Sequence, residues 1–182
     1  WEEQTGENEH SGGGVDVAEG VGSGGTGIPM GTVNGFGSVI VDGQRIDDAS
    51  ATVEAESEPG TPNKSGQDEV AVKLGQRVVI DNDTNAKVAT RVRIFPELIG
   101  MVDSVDLAQQ RLVVAGQEVR IIGDGSTLWP TVLDGLDGLA DVSVGQRLEV
   151  HGYTRRDPVT SAYYIAATRI ERRLSSQSFV RV

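Results

Sequence analysis

The heptapeptide Leu74-Gly75-Gln76-Arg77-Val78-Val79-Ile80 returns 70 positions later as Val144-Gly145-Gln146-Arg147-Leu148-Glu149-Val150. An internal repeat constrains a fold more than composition does, because two copies of one pattern imply two copies of one structural unit. In each copy a Gly-Gln-Arg turn leads from an apolar residue into a strand-like run. The repetition is wider than this. Gly31-Thr32-Val33 matches Gly100-Met101-Val102, Val39 to Gln44 matches Leu112 to Gln117, and Ala89-Thr90-Arg91-Val92 matches Ala167-Thr168-Arg169-Ile170. The order is kept while the offset drifts from 69 to 73 to 70 to 78. Drift of that kind belongs to loops, where insertions are tolerated.

Period-2 apolar spacing and turn residues divide the chain into short strands. Residues 1–30 form an acidic, glycine-rich arm, with Val15 and Val17 spaced as on a strand face and Val21 and Ile28 further on. Glycine makes such an arm costly to order alone. It is therefore expected to order by strand addition to a partner or to serve as a flexible tether. Within 31–96, strands are predicted over Gly31–Phe36, with a bulge or tight bend at Gly35-Phe36-Gly37. Ser38–Val41 and Gln44–Asp47 follow as a hairpin about Asp42-Gly43, then Ala51–Ala55 and a polar loop over 56–69. Gln76–Ile80 and Ala86–Ile94 close that unit. Within 97–173 the same plan gives Ile99–Val105, a hairpin of Arg111–Ala115 and Gln117–Ile122, Gln146–Gly152, a turn over Tyr153–Pro158, and Tyr163–Arg172. The spacing of Val132, Leu133, Leu136 and Leu139 predicts a short amphipathic helix. Residues 174–182 form a tail in which Phe179–Val182 is a further strand. Five short strands with an insert between the third and fourth fit a small Greek-key barrel of the OB type, with an SH3-like barrel as the second choice. The expected fold is all-β: two tandem OB-like barrels with extended N- and C-terminal arms.

The 182 residues carry a formal net charge of −11 and no cysteine. The charge opposes nucleic-acid binding, which needs a basic footprint. The missing cysteine excludes disulfides and thiolate metal sites. No run reaches ~18 apolar residues, so no membrane span is expected. Residues 1–30 hold six acids and no Lys or Arg, whereas Arg169, Arg172, Arg173 and Arg181 near the other end face only Glu171. Opposite charge at the two ends favours head-to-tail contact, or reflects a solvated acidic tail and a few surface arginines. The sequence opens on Trp1, and an excised signal peptide is the expectation, placing the protein at the cell surface, outside the cell or in the periplasm.

Gly24 to Ile28, Gly31 to Gly43, Leu74 to Val78 and Ala89 to Val92 together resemble the bacterial domain-of-unknown-function 5666 family, over residues 24–173 in two copies. In the second copy Asp103-Ser104-Val105-Asp106 stands where Gly-Phe-Gly would. The resemblance implies exported β-barrel domains in tandem and brings no catalytic residues with it.

Candidate chemistry is sparse. Gly22 to Gly27 fits G-x-G-x-x-G, but Ile28-Pro29-Met30-Gly31 cannot open the helix that a phosphate cradle needs. Asp81-Asn82-Asp83-Thr84-Asn85 starts like a calcium loop, yet Ala86 and Val92 hold the places of its Gly and Glu, so it reads as a turn. His10 and His151 read as surface histidines, and no G-x-S-x-G nucleophile turn occurs. Adjacent Tyr163 and Tyr164 are expected on opposite faces of a strand. No catalytic, metal or cofactor residue is assigned. The expected role is a non-catalytic structural protein whose partner is another copy of itself, joined through Val15, Val17, Val21, Ile28, Phe179, Val180 and Val182 into a homopolymer or surface filament. The alternative is an exported module binding a glycan, a cell-surface polymer or another small ligand.

Overall fold

A computed structural model describes residues 30–35, 39–58, 61–63, 71–82, 88–123, 130–173 and 179–180. The arm residues Val15, Val17, Val21 and Ile28, together with His10, Phe36, Asp83 to Asn85, Trp129 and Val182, lie outside them. The described chain is all-β and forms two sheets. The first holds β1 (Met30–Gly35), β2 (Val39–Val41), β3 (Gln44–Ile46), β4 (Thr52–Glu58), β5 (Thr61–Asn63), β6 (Arg77–Asn82) and β7 (Ala89–Ile94). The second holds β8 (Leu98–Asp106), β9 (Arg111–Val114), β10 (Gln117–Ile121), β11 (Val132–Asp134), β12 (Arg147–Arg156), β13 (Tyr163–Arg172) and β14 (Phe179–Val180).

The two sheets share one pairing order. The first runs β3-β2-β1-β6-β7-β4-β5 and the second β10-β9-β8-β12-β13-β11, with β14 added to β8. β10 also pairs in parallel with β13 over Val119–Ile121, which closes that path on itself. In the first sheet the equivalent contact is one parallel bridge, Asp47 to Val88. Each half has its own apolar core. Val78 and Ile80 lie in one, and Leu148 and Val150 in the other, all fully buried as the repeat predicts.

The repeated residues have repeated tasks. Gly75 and Gly145 adopt φ of 79° and 83°, a left-handed conformation that glycine takes at no steric cost. Their N–H groups donate to Val33 O and Val102 O, both at 2.8 Å. The next residue returns its carbonyl to the same strand, Gln76 to Val33 N–H at 3.0 Å and Gln146 to Val102 N–H at 2.8 Å. The Gln side chain then ties the turn, its Oε1 accepting from Lys73 N–H at 2.7 Å or Ser143 N–H at 3.1 Å. Both hairpins have positive φ at both central residues, Asp42-Gly43 and Ala115-Gly116, matching the right-handed twist of their strands. Opposite each hairpin the first strand bulges, between Val33 and Gly35 and between Val102 and Ser104. The bulged residue points its side chain at the hairpin glycine: Asn34 Oδ1 accepts from Gly43 N–H at 3.2 Å, and Asp103 Oδ2 from Gly116 N–H at 2.8 Å. The bulge is thus present in the copy that lacks Gly-Phe-Gly.

Three expectations are corrected. The segment predicted as a helix forms the short strand β11 and a single 3-10 turn at Leu139–Asp141. Val132 to Asp134 find backbone partners in parallel on β13, and Gly135 and Gly138 disfavour a helix. The loop predicted over 56–69 is partly strand, because β4 runs to Glu58 and β5 pairs back on it. The turn predicted at Tyr153–Pro158 starts later, since β12 keeps its ladder to β13 as far as Arg156.

Candidate functional site

Strands β12 and β13 are covered on both faces. One face carries Leu148, Val150, Ile165 and Ile170 into the second core. The other presents Glu149, His151 and Arg169 to the first sheet, where all three are buried. Burying such groups is costly unless each is paired. Here they are.

His151 is 0% exposed, which corrects its reading as a surface residue. Its Nδ1 accepts the Arg77 backbone N–H at 3.1 Å, so that nitrogen carries a lone pair and no proton. The proton therefore sits on Nε2, 2.7 Å from Glu149 Oε1, and donates to it. Arg173 donates to the other Glu149 oxygen. Burial pushes the Glu149 carboxyl upward, but the hydrogen bonds from His151 and Arg173 and the charge of Arg173 outweigh it and hold the group below its ordinary value. Above this trio the Arg77 guanidinium stacks 3.9 Å from the Tyr153 ring centre and 5.4 Å from that of Phe95. The Tyr153 hydroxyl lies 2.5 Å from Thr32 Oγ1.

Beside it Arg169 binds a backbone turn. Its Nη1 donates to Leu74 O at 3.0 Å, and the Thr168 hydroxyl donates to Gly75 O at 2.6 Å. Arg169 is itself held by Asp134 and by Glu171, the latter at 2.9 Å. Lys73 from the first half reaches the same acids at 3.3 and 3.5 Å. A cavity of about 220 Å³ lies at this junction, lined by Thr32, Val33, Asn34, Leu74, Gly75, Pro130, Val132 and Thr168. That is below the ~300–1,000 Å³ of ordinary small-molecule pockets.

A His–carboxylate pair can orient a general base. Here both ring nitrogens are engaged within the protein and the ring is sealed from solvent, so the pair holds two sheets together. Away from the junction, Asp157 accepts backbone N–H groups of Thr160 and Val159 and an Arg120 Nη1 bond at 2.7 Å, and these hold its carboxyl far below the usual range. Arg120 stacks 3.9 Å from the Tyr164 ring centre, while Tyr163 on the other face is exposed.

Of the residues assigned to a subunit interface, Val180 packs against this chain's own second core, and the backbone of Phe179 in β14 pairs with Ile99 of β8. Of the junction residues, His151 was read from sequence as a surface histidine, and Arg77, Glu149 and Arg169 were given no site role. One signal was present: Glu149 and His151 stand where the first copy has Val79 and Asp81, so the second copy changed chemistry on one strand face. None of the protein families, curated proteins or solved structures compared with this chain matches it.

Proposed function

We propose that this chain is a non-catalytic, exported structural protein: two tandem OB-like barrels whose subunits join by strand addition of the N-terminal arm into a homopolymer or surface filament. The observation that carries the reading is the use made of buried polar chemistry. Arg77, Glu149, His151 and Arg169 are spent on a junction between two like halves, not on an open cleft. A stiff two-barrel block is a building element. The ring of pairings β8-β9-β10-β13-β12, with its insert between the third and fourth strands, supports the OB-like assignment. The resemblance to the domain-of-unknown-function 5666 family implies the same architecture and an exported protein.

The acceptor for strand addition in this reading is the edge of β3. Among the described residues the outer side of β3 is tied to the approach of β7 by one bridge, where its counterpart β10 has three paired residues. An added strand completes such an edge, with Val15 and Val17 of the arm entering the partner's apolar groove. Light scattering on the full chain and on a variant lacking residues 1–28 tests this: the full chain assembles and the truncated chain does not. If both are monomers, the reading falls. The second reading, a module binding a glycan or small ligand, is favoured by the apolar cavity at Leu74 and Pro130 and by exposed Tyr163. Saturable calorimetric binding of a soluble glycan, lost in Tyr163→Ala, would favour it.

A further inference from the structure

The junction inside this chain joins two different faces. The first half contributes its Gly-Gln-Arg turn, through Thr32, Leu74, Gly75 and Arg77. The second contributes the β13–β11 side, through Thr168 and Arg169 with Val132 and Asp134 beside them. Because both halves follow one pairing pattern, each owns both faces. The second half's own turn carries Met101, Val144, Gly145 and Arg147 at the corresponding positions. The first half's β7–β4 side carries Thr90 and Arg91, with Thr52 and Glu54 in the register that Val132 and Asp134 occupy on β13.

Those two remaining faces are open at Met101, Val144, Thr90 and Arg91, while Glu54 beside Arg91 is buried. Thr32 is 8% exposed, whereas Met101 is 49% and Val144 68% exposed. The Arg169 side chain is 4% exposed and that of Arg91 50%. A Cβ on Gly75 would meet Thr168 O at 2.5 Å, while one on Gly145 would meet nothing within 4 Å. The open faces nevertheless keep the chemistry of the closed pair. Thr90 and Arg91 repeat the residue types of Thr168 and Arg169, although the Thr90 hydroxyl donates to Asp81 O at 2.9 Å and would have to turn to serve a partner, and Val144 and Gly145 supply the same two carbonyls as Leu74 and Gly75. Glu54 and Asp81 each lie 3.8 Å from the Arg91 guanidinium, a looser setting than the hydrogen bond by which Asp134 holds Arg169. Charge also balances. Inside the chain Lys73 faces two acids, Asp134 and Glu171. On the open faces the neutral Ser143 stands in the place of Lys73, and Glu54 pairs in register with basic Arg93 where Asp134 pairs with Glu171.

We propose that the Val144-Gly145 turn face of one chain docks on the β7–β4 face of a second copy, repeating between chains the junction built within each. A contact between two unlike faces has no twofold partner to close on, so it propagates head to tail into a ring or a filament. The proposal rests on the self-assembly reading above and adds to the arm a second joint between folded faces.

The test uses the full chain and four variants: Val144→Glu, Arg91→Glu, their combination, and Val15→Asp/Val17→Asp in the arm. Mass is followed by light scattering from about 1 μM to about 1 mM. Circular dichroism melts confirm that the folds are intact. The wild-type mass is expected to grow with concentration, and Val144→Glu and Arg91→Glu each to weaken association about tenfold or more. Growth that both leave unchanged overturns the face joint. If the arm variant then abolishes growth, the arm reading stands without it. A wild-type chain that stays monomeric throughout overturns both. A second measurement exploits the absence of cysteine. Leu74 and Val132 line one cavity, so Val144→Cys and Thr52→Cys on separate chains should meet. Mild oxidation of the mixture is expected to give mainly mixed dimers, and a statistical mixture of dimers overturns the joint.

Discussion

The backbone N–H of Arg77 donates to Nδ1 of His151 at 3.1 Å, so a strand of the first sheet fixes the tautomer of a histidine in the second. The bond needs a lone pair on Nδ1, and that leaves the ring's one proton on Nε2 for Glu149. Removing the ring leaves a buried N–H and a buried carboxylate short of a partner. His151→Ala is expected to cost about 3 kcal/mol in urea unfolding. His151→Asn, whose Oδ1 can still accept from Arg77, should cost less. Equal losses in the two variants would refute the role given to Nδ1.

Acid should loosen the junction through Glu149. Burial raises its folded pKa, but the bonds from His151 and Arg173 outweigh burial and hold it below the ordinary 4.5. A carboxyl depressed in this way contributes stability above its unfolded pKa and loses it as pH falls through the folded value. The wild-type protein should therefore keep this contribution at neutral pH and lose it progressively below about pH 4.5. In Glu149→Gln the contribution is absent at every pH. The gap in melting temperature between the two should shrink on acidification, and a gap constant between pH 7 and pH 3 would contradict the assignment.

Tyr153 serves the junction twice, through its hydroxyl on Thr32 and its ring under Arg77. Tyr153→Phe keeps the ring and should cost about 1 kcal/mol. Tyr153→Leu also loses the cation–π contact, a further loss of about 1 kcal/mol. A double-mutant cycle with Arg77→Met separates the two, and zero coupling between Tyr153 and Arg77 would show that the stacking contributes nothing.

Gly75 and Gly145 offer a controlled comparison. Both have positive φ, so alanine should cost about 1–2 kcal/mol of backbone strain at either. Only at Gly75 does the new methyl group strike the Thr168 carbonyl. Gly75→Ala should therefore be the more damaging by at least about 1 kcal/mol in urea unfolding. Equal costs would mean that the turn is not clamped by the second half.

Most of the strands were legible because each carries a local signal. Asp42-Gly43 marks a hairpin by its conformation alone, and Val78 and Ile80 mark a core face by spacing. The junction was not legible, for a physical reason visible in β12. Alternation of Leu148 and Val150 with Glu149 and His151 is the pattern of a strand with one face in water. That pattern cannot report a second sheet lying over the polar face, because the covering residues are more than 70 positions away in sequence. The helix expected at Val132 failed in the same way: its spacing is local, and the backbone partners on β13 that override it are distant.

Synthesis order gives the Gly75 turn a further meaning. Its carbonyl meets the Thr168 hydroxyl 93 residues later in the chain. At ~5–20 residues per second, the ribosome delivers Thr168 roughly 5–20 s after Gly75. During that interval the nascent first half has its hairpin and core residues but an uncapped turn face. The same carbonyl pair is on offer to any neighbouring nascent chain that presents a Thr-Arg edge, and docking of the second half withdraws it.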